Sequence, residues 1–174
     1  GHTFIEKAVN CTTEAYAEFR KKVREGNNVF SADGRLLAYK KELVKKIKIP
    51  IDMIANDMFT YFSCLSLGFH YRFVESAVVY FRSPKTLKDH IRQNTRFRAS
   101  PIRMKKYFSK KLVNQEIVIP KGIYFSSIMK QSFKHPFLSL SIYIINKYCG
   151  LKATLSEQNL TAKWEMASTT KYII

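Results

Sequence analysis

Residues 56–68 read NDMFTYFSCLSLG and predict one amphipathic helix. Asn56 is suited to cap the N-terminus, because its side-chain oxygen can accept a hydrogen bond from a first-turn amide. Phe59 and Phe62 are three positions apart, so they share one helix face and can pack into a core. Asp57 then occupies the first turn, where the helix dipole favours a carboxylate. We therefore predict a helix start that holds one carboxylate in a fixed position.

The chain on both sides of this helix carries strand patterns. Asp33-Gly34 is a dipeptide typical of a hairpin turn between two short strands. Other segments rich in Val, Ile, Tyr or Phe are bounded by turn-forming residues, as strands commonly are. We predict five strands from these patterns, at residues 28–32, 35–39, 71–74, 77–81 and 115–120.

Several further helices are predicted by capping and periodicity. Thr86 with Asp89 three positions later resembles a capping box that opens a basic helix through about Phe97. The other predicted helices begin at Thr12 or Thr13 and span residues 40–47, 123–133, 136–148 and 156–168. Together these elements predict an α/β fold of the mixed α+β type, with a small mixed sheet and a helical C-terminal region. We assign residues 1–110 to the part with the sheet and residues 111–174 to the helical region. The helical region either packs on the first part or, through a hairpin of residues 123–133 and 136–148, rests on a membrane interface.

Taken in order, the segments resemble the C-terminal, acceptor-side half of an inverting family-2 nucleotide-sugar glycosyltransferase with the GT-A fold. Asn56-Asp57 resembles the family's acidic pair, usually Glu-Asp, and residues 93–97, QNTRF, resemble its Gln-x-x-Arg-Trp motif. Asn therefore replaces the first acid and Phe97 replaces Trp. Weaker likenesses to segments of the family lie at residues 30–41, expected near the acceptor, at residues 67–77 and in the tail at residues 164–171.

The resemblance implies a role for each motif residue. Asp57 would be the general base, because an inverting transfer needs a positioned group to take the proton of the attacking hydroxyl. Arg96, with Gln93 on the same helix face, would stabilise the negative charge of the leaving diphosphate. Asn56 and Phe97 would contact substrate, Phe97 as an apolar wall. Without the resemblance, a simpler interpretation is open. Asp57 is then only a helix-capping carboxylate, Gln93 and Arg96 lie on a solvated helix face, and Phe97 belongs to the core.

Two features of the family's N-terminal half are absent from this sequence. That half supplies nucleotide-binding strands and an Asp-x-Asp motif that holds a divalent cation, and neither Asp-x-Asp nor a Gly-rich phosphate loop occurs here. We therefore expect a hexosyltransferase fragment, inactive without its N-terminal half, whose Mg²⁺ or Mn²⁺ ligands lie outside the chain. The nucleotide-sugar donor and the saccharide or lipid-linked acceptor are the expected substrates. The four His and three Cys show no spacing typical of a metal site, and the thiols are expected to be reduced.

The charge of the chain predicts an anionic partner. Its net charge is +17, and residues 85–111 alone hold ten Lys or Arg against one acid. Aromatic residues between these cations fit an anionic lipid surface, so we expect a cytoplasmic location with peripheral contact to the cytoplasmic face of a membrane. No signal peptide is expected, and no apolar run reaches the roughly 20 residues of a membrane span. The alternatives are a non-catalytic basic module that binds nucleic acid or anionic lipid, and a solvated basic face without a ligand.

Overall fold

The computed structural model describes residues 1–163, and this range is helical. The α-helices are α1 (Phe4–Lys22), α2 (Lys41–Val44), α3 (Asn56–Ser66), α4 (Leu87–Tyr107), α5 (Lys110–Glu116), α6 (Lys121–Lys134) and α7 (Pro136–Ser156). Short 3₁₀ turns lie at Val23–Gly26, Val29–Ser31 and Glu157–Asn159. No residue from 1 to 163 forms a strand. The predicted α/β fold with a small mixed sheet is therefore wrong.

The buried side chain of Asn28 explains why the predicted hairpin does not form. Its amide nitrogen donates to the carbonyls of Arg20 at 2.7 Å and Val23 at 2.6 Å, and its oxygen accepts from the amide of Phe30 at 2.9 Å. Such local bonds between a side chain and the backbone compete with a strand ladder. They turn the chain after α1 into the 3₁₀ turn at Val29–Ser31.

The other predicted strands fail for related reasons. The amide of Phe73 donates to the side-chain oxygen of Asn27 at 2.9 Å rather than to another strand. The amide of Ala77 donates to the Val74 carbonyl, and this turn separates residues 71–74 from residues 77–81. Residues 115 and 116 of the last predicted strand instead form the end of helix α5. Ser109 caps this helix, because its hydroxyl accepts from the amide of Leu112. Hydrogen bonds between Asn or Ser side chains and the backbone thus replace the expected strand pairing.

Most helix predictions are correct in position but not in length. Thr86 caps α4 as predicted, accepting from the amide of Asp89 at 3.2 Å, and α4 continues beyond Phe97 through Pro101. Helix α1 starts after Thr3 rather than at Thr12 or Thr13. Helix α7 continues to Ser156, beyond its predicted end at residue 148. The predicted helix 156–168 is wrong over its described part, because residues 157–159 form a 3₁₀ turn and residues 160–163 are not helical. Residues 164–171 lie outside the described residues.

The core is built from helix contacts. The largest cluster surrounds Phe62 of α3 and includes Met53 and Met104. Helix α7 packs against α1 and α4, with Ile142 against Ala8 in one smaller cluster. Across residues 1–163, no helix combines the length and apolar character that crossing a membrane requires.

Candidate active site

Helix α3 begins at Asn56, but its N-cap is Ala55 and no side chain caps it, so the prediction that Asn56 caps this helix is wrong. The helix start still fixes the carboxylate of Asp57. Asp57 is the second residue of α3. One carboxylate oxygen accepts a hydrogen bond from the amide of Met58 at 2.8 Å, and the other accepts from the amide of Gly34 at 3.2 Å. The carboxylate is thus held from one side by its own helix and from the other by the loop before α2.

The electrostatic surroundings of Asp57 favour a bound proton. Burial raises the pKa of this carboxyl, and the nearby negative charge of Asp33 raises it further. The hydrogen bonds from Met58 and Gly34 act in the opposite direction without cancelling the shift. A carboxylate that holds a proton more tightly is a stronger base, which suits it to accept a proton from a hydroxyl.

The loop that contacts Asp57 carries a second charged pair. Asp33 accepts hydrogen bonds from the backbone amide of Arg35 at 3.1 Å and from its guanidinium at 2.5 Å. The guanidinium also lies 3.9 Å from the ring centre of Phe81. Arg35 therefore joins the loop before α2 to the segment before α4, next to the candidate base.

Two tyrosines complete the surroundings of Asp57. The Tyr16 hydroxyl donates to the Phe30 carbonyl at 3.0 Å, and burial raises the pKa of Tyr16 while Asp33 and Asp57 add to the shift. The Thr60 hydroxyl donates to the Asp57 carbonyl at 2.9 Å, so the Tyr39 hydroxyl, 3.0 Å from the Thr60 oxygen, is the donor in that second pair. Tyr16 and Tyr39 supply neutral polar groups and ring surface near the carboxylate.

Arg96 lies beside the chain that leads into α3. Its guanidinium donates to the carbonyl of Ile54 at 2.9 Å, three positions before Asp57. It also donates to the carbonyls of Thr161 at 2.9 Å, Ala162 at 3.2 Å and Lys163 at 3.4 Å. Burial lowers the pKa of Arg96, and the charge of Arg103 adds to this shift. Arg96 is thus a point where α4, the start of α3 and residues 161–163 meet.

The remaining predicted site residues lie next to these two. Asn56 is exposed at the first position of α3. Gln93 is half-buried one turn before Arg96, and Phe97 is 47 % exposed. The structure therefore places Asn56 and Asp57 at one helix start and brings Arg96 to the backbone before it.

A shallow pocket lies where residues 161 and 162 pass α4. It has a volume of about 380 Å³, and its lining includes Arg103, Lys106, Thr161 and Ala162. The Lys106 ammonium is half-exposed and donates to Glu157. Asp52 also lines this space and pairs with Arg103, so the cations beside the partners of Arg96 already have acidic partners.

The part of the chain that the structure describes contains no cluster of three or more His, Cys, Asp or Glu side chains that could hold a metal ion. Asp33, the acid whose charge raises the pKa of Asp57, forms a salt bridge with Arg35. These residues do not fit a divalent cation site.

Sequence reasoning missed several residues around Asp57. Tyr16, Arg35, Tyr39 and Phe81 reach the site from segments distant in sequence, and no motif spacing connects them. Asp33-Gly34 did give a signal, but it predicts only a turn. The turn is present, since the amide of Leu36 donates to the Asp33 carbonyl at 3.1 Å.

Comparison with known proteins adds one finding. Residues 1–147 match the family model described as Glycosyl transferase family group 2. Neither a curated protein nor a solved structure matches the chain.

Proposed function

This chain belongs to glycosyl transferase family group 2, and we propose that it forms the acceptor side of an inverting hexosyltransferase. The donor is a nucleotide sugar and the acceptor a saccharide or a lipid-linked sugar. The observation that supports the proposal best is the carboxylate of Asp57, which is held at a helix start by the amides of Met58 and Gly34 and has a raised pKa.

In the proposed reaction, Asp57 takes the proton of the acceptor hydroxyl. The hydroxyl oxygen forms a bond to the anomeric carbon as the bond from that carbon to the nucleotide diphosphate breaks. Each carboxylate oxygen has two lone pairs, and the described hydrogen bonds from Met58 and Gly34 each use one. The backbone amide of Asp57 also interacts with this carboxylate, which leaves at least one of the four lone pairs for the acceptor.

Arg96 stabilises the leaving diphosphate in this proposal. A guanidinium presents donors in a planar fork that matches phosphate oxygens. Its present partners include three carbonyls of residues 161–163, which the diphosphate oxygens would replace. The adjoining pocket offers space for an anion, for which the half-exposed Lys106 would exchange its bond to Glu157. Gln93 would orient the guanidinium, whereas Phe97 and Asn56 would contact sugar or acceptor.

Donor binding is assigned to a separate nucleotide-binding half. The chain lacks an Asp-x-Asp motif, and its described residues do not fit a metal site. We propose that Mg²⁺ or Mn²⁺, which neutralises charge on a nucleotide diphosphate, is held in that other half. The 174-residue chain alone would then be inactive.

Transfer assays on the parent protein and on the isolated chain test this function. Both are incubated with a panel of nucleotide sugars, Mg²⁺ or Mn²⁺ and sugar acceptors, and the anomeric configuration of the product is read by NMR. We expect transfer with inversion by the parent protein and background turnover by the chain. A product with retained configuration, or efficient transfer by the isolated chain, would contradict the proposal.

A further inference from the structure

Helix α7 is apolar on two opposite sides. One side packs into the protein through Ile142, Cys149 and Ala153. The other side carries six residues at spacings of three or four, all between 52 % and 86 % exposed: Phe137, Leu140, Ile144, Tyr148, Leu151 and Leu155. We call these six residues the α7 stripe. At 1.5 Å per residue the stripe is about 27 Å long.

Such a stripe is unusual on a water-facing surface. Single exposed apolar residues are common, but contiguous apolar surface of this extent marks a contact with a partner or a membrane. A helix that is apolar all around its circumference is ordinarily covered on every side. The α7 stripe therefore requires a partner, and its charged neighbours indicate which one.

Positive charge surrounds the stripe. Residues 117–156, which include α6 and α7, contain five Lys and neither Asp nor Glu. With about 100° of rotation per residue, Lys147 and Lys152 fall on opposite borders of the stripe. Long Lys side chains at such borders can cover apolar surface while their ammonium groups reach polar headgroups.

The turn between α6 and α7 extends the apolar surface. Phe133 near the end of α6 is 79 % exposed, and Phe137 at the start of α7 is 82 % exposed. Exposed aromatic and aliphatic residues beside Lys are typical of helices that lie in a membrane interface. A second copy of this chain would instead bring Lys147 and Lys152 against the same positive charges.

The basic segment at residues 85–111 is less suited to this contact. Met104 is fully buried, and Phe108 packs against Phe59 and Phe62 in the core. Arg103 is 2 % exposed and donates to Glu157 and Asp52. Met104, Phe108 and Arg103 thus pack inside the protein and are not available to contact lipid.

We propose that α7 lies flat on an anionic lipid bilayer, with the α7 stripe inserted at the boundary between headgroups and acyl chains. Lys147 and Lys152 contact anionic headgroups at the two borders of the stripe. Binding to this surface requires no sugar transfer, so the inference stands or fails independently of the proposed function.

Vesicle co-sedimentation of the 174-residue chain tests the proposal. The vesicles contain phosphatidylcholine alone or with 30 % phosphatidylglycerol. The variant Leu140→Gln/Ile144→Gln/Leu151→Gln replaces three exposed stripe residues with a good helix former. The variant loses the free energy gained when these three apolar side chains transfer from water into the bilayer. We therefore expect roughly 100-fold weaker partitioning to the anionic vesicles.

A matched control separates the stripe from general apolar exposure. Ile51→Gln/Val74→Gln/Val78→Gln removes three exposed apolar side chains outside α6 and α7, and it should bind vesicles like the unmodified chain. Lys147→Gln/Lys152→Gln should weaken binding to the anionic vesicles by roughly 10- to 30-fold. Circular dichroism verifies that every variant keeps its helix content.

Two results would overturn the proposal. One is equal vesicle binding by the stripe variant and the unmodified chain, which would assign lipid contact to another surface. The other is a concentration-dependent dimer, measured by light scattering, that forms without lipid binding and is lost in the stripe variant.

Discussion

The carboxylate of Asp57 accepts a hydrogen bond from the backbone amide of Gly34 at 3.2 Å. This contact joins the first turn of α3 to a loop 23 positions earlier in the chain. A Cβ atom added to Gly34 would lie 3.4 Å from the accepting oxygen. The loop therefore approaches the candidate base closely enough to control how much of the carboxylate remains accessible.

Replacing Gly34 tests this approach. Gly34→Ala keeps the amide but places a methyl group in van der Waals contact with the carboxylate, which partly removes it from water. We expect the pKa of Asp57 to rise further. We also expect transfer by the parent protein at pH 7 to fall roughly tenfold, because the methyl group restricts the acceptor's approach to the carboxylate. The pH profile of kcat/KM measures both effects.

Gly122→Ala is the matched control, because no atom lies within 4 Å of the added Cβ. It should leave the pH profile unchanged. If Gly34→Ala behaves like this control, the loop does not influence the base.

Stability should show the cost of keeping the half-buried Asp57 carboxyl ionised at pH 7. Its pKa is raised in the folded protein, so the folded state binds the proton more tightly than the unfolded state. Its contribution to stability is then present below the unfolded pKa of about 4 and is lost as pH rises through the folded pKa. We expect Asp57→Asn to increase the free energy of unfolding at pH 7 and to change it less at pH 4, as measured by urea denaturation. A destabilised variant at pH 7 would show that the carboxylate stabilises the fold.

A buried ion pair connects α4 to the chain after α7. The side chains are almost fully buried, since Arg103 is 2 % exposed and Glu157 is 4 % exposed. The Arg103 guanidinium donates to the Glu157 carboxylate and also to the backbone carbonyl of Glu157, at 2.8 Å. Burial opposes ionisation of Glu157, but its bonds to Arg103 and Lys106 outweigh this and lower its pKa. Removing one partner leaves the other charge without its main compensation.

We therefore expect Arg103→Met to lower the free energy of unfolding by about 3–5 kcal/mol. Lys106→Met, at a half-exposed position on the same carboxylate, should cost less than about 1 kcal/mol. Urea denaturation of both variants gives these values. Equal losses would mean that burial does not set the strength of this interaction.

Helix starts could be predicted from sequence because their determinants are local. Thr86 caps α4 through the amide of Asp89, as predicted. Helix α3 begins at Asn56 without a side-chain cap, so only the apolar spacing of Phe59 and Phe62 predicts it correctly. The strands could not be predicted correctly, because the side chain of Asn28 finds carbonyl partners on the preceding helix. Arg20 and Val23 lie eight and five positions before Asn28, and no strand or turn pattern in the sequence indicates that a side chain bonds to their carbonyls.

The same distinction applies to the site. The position of Asp57 in the first turn follows from the sequence pattern of α3, but its contact with Gly34 and the proximity of Tyr16 arise where distant segments meet. The bonds of Arg96 to residues 161–163 likewise join α4 to a segment 65 or more positions away. Motif spacing identified the candidate base and cation, whereas the structure supplies their partners.

Arg96 can be tested without removing its charge. Arg96→Lys keeps a cation but loses the planar fork that contacts several oxygens at once. If Arg96 stabilises the leaving diphosphate, kcat/KM of the parent protein should fall by roughly 10²- to 10³-fold. Arg98→Lys, two positions along the same helix at an exposed site, is the control and should retain full activity. Similar activity of both variants would exclude the proposed role of Arg96.

The assignment of Asp57 as the base is the central claim, and Asp57→Asn in the parent protein tests it most directly. Asparagine keeps the shape of the side chain but cannot take the proton, so single-turnover transfer should fall by roughly 10²- to 10⁴-fold. Nucleotide binding, measured by calorimetry, should remain within about twofold. Glu75→Gln removes an exposed carboxylate that pairs with Lys21 and should transfer normally. Transfer by Asp57→Asn within tenfold of the unmodified protein would contradict the account.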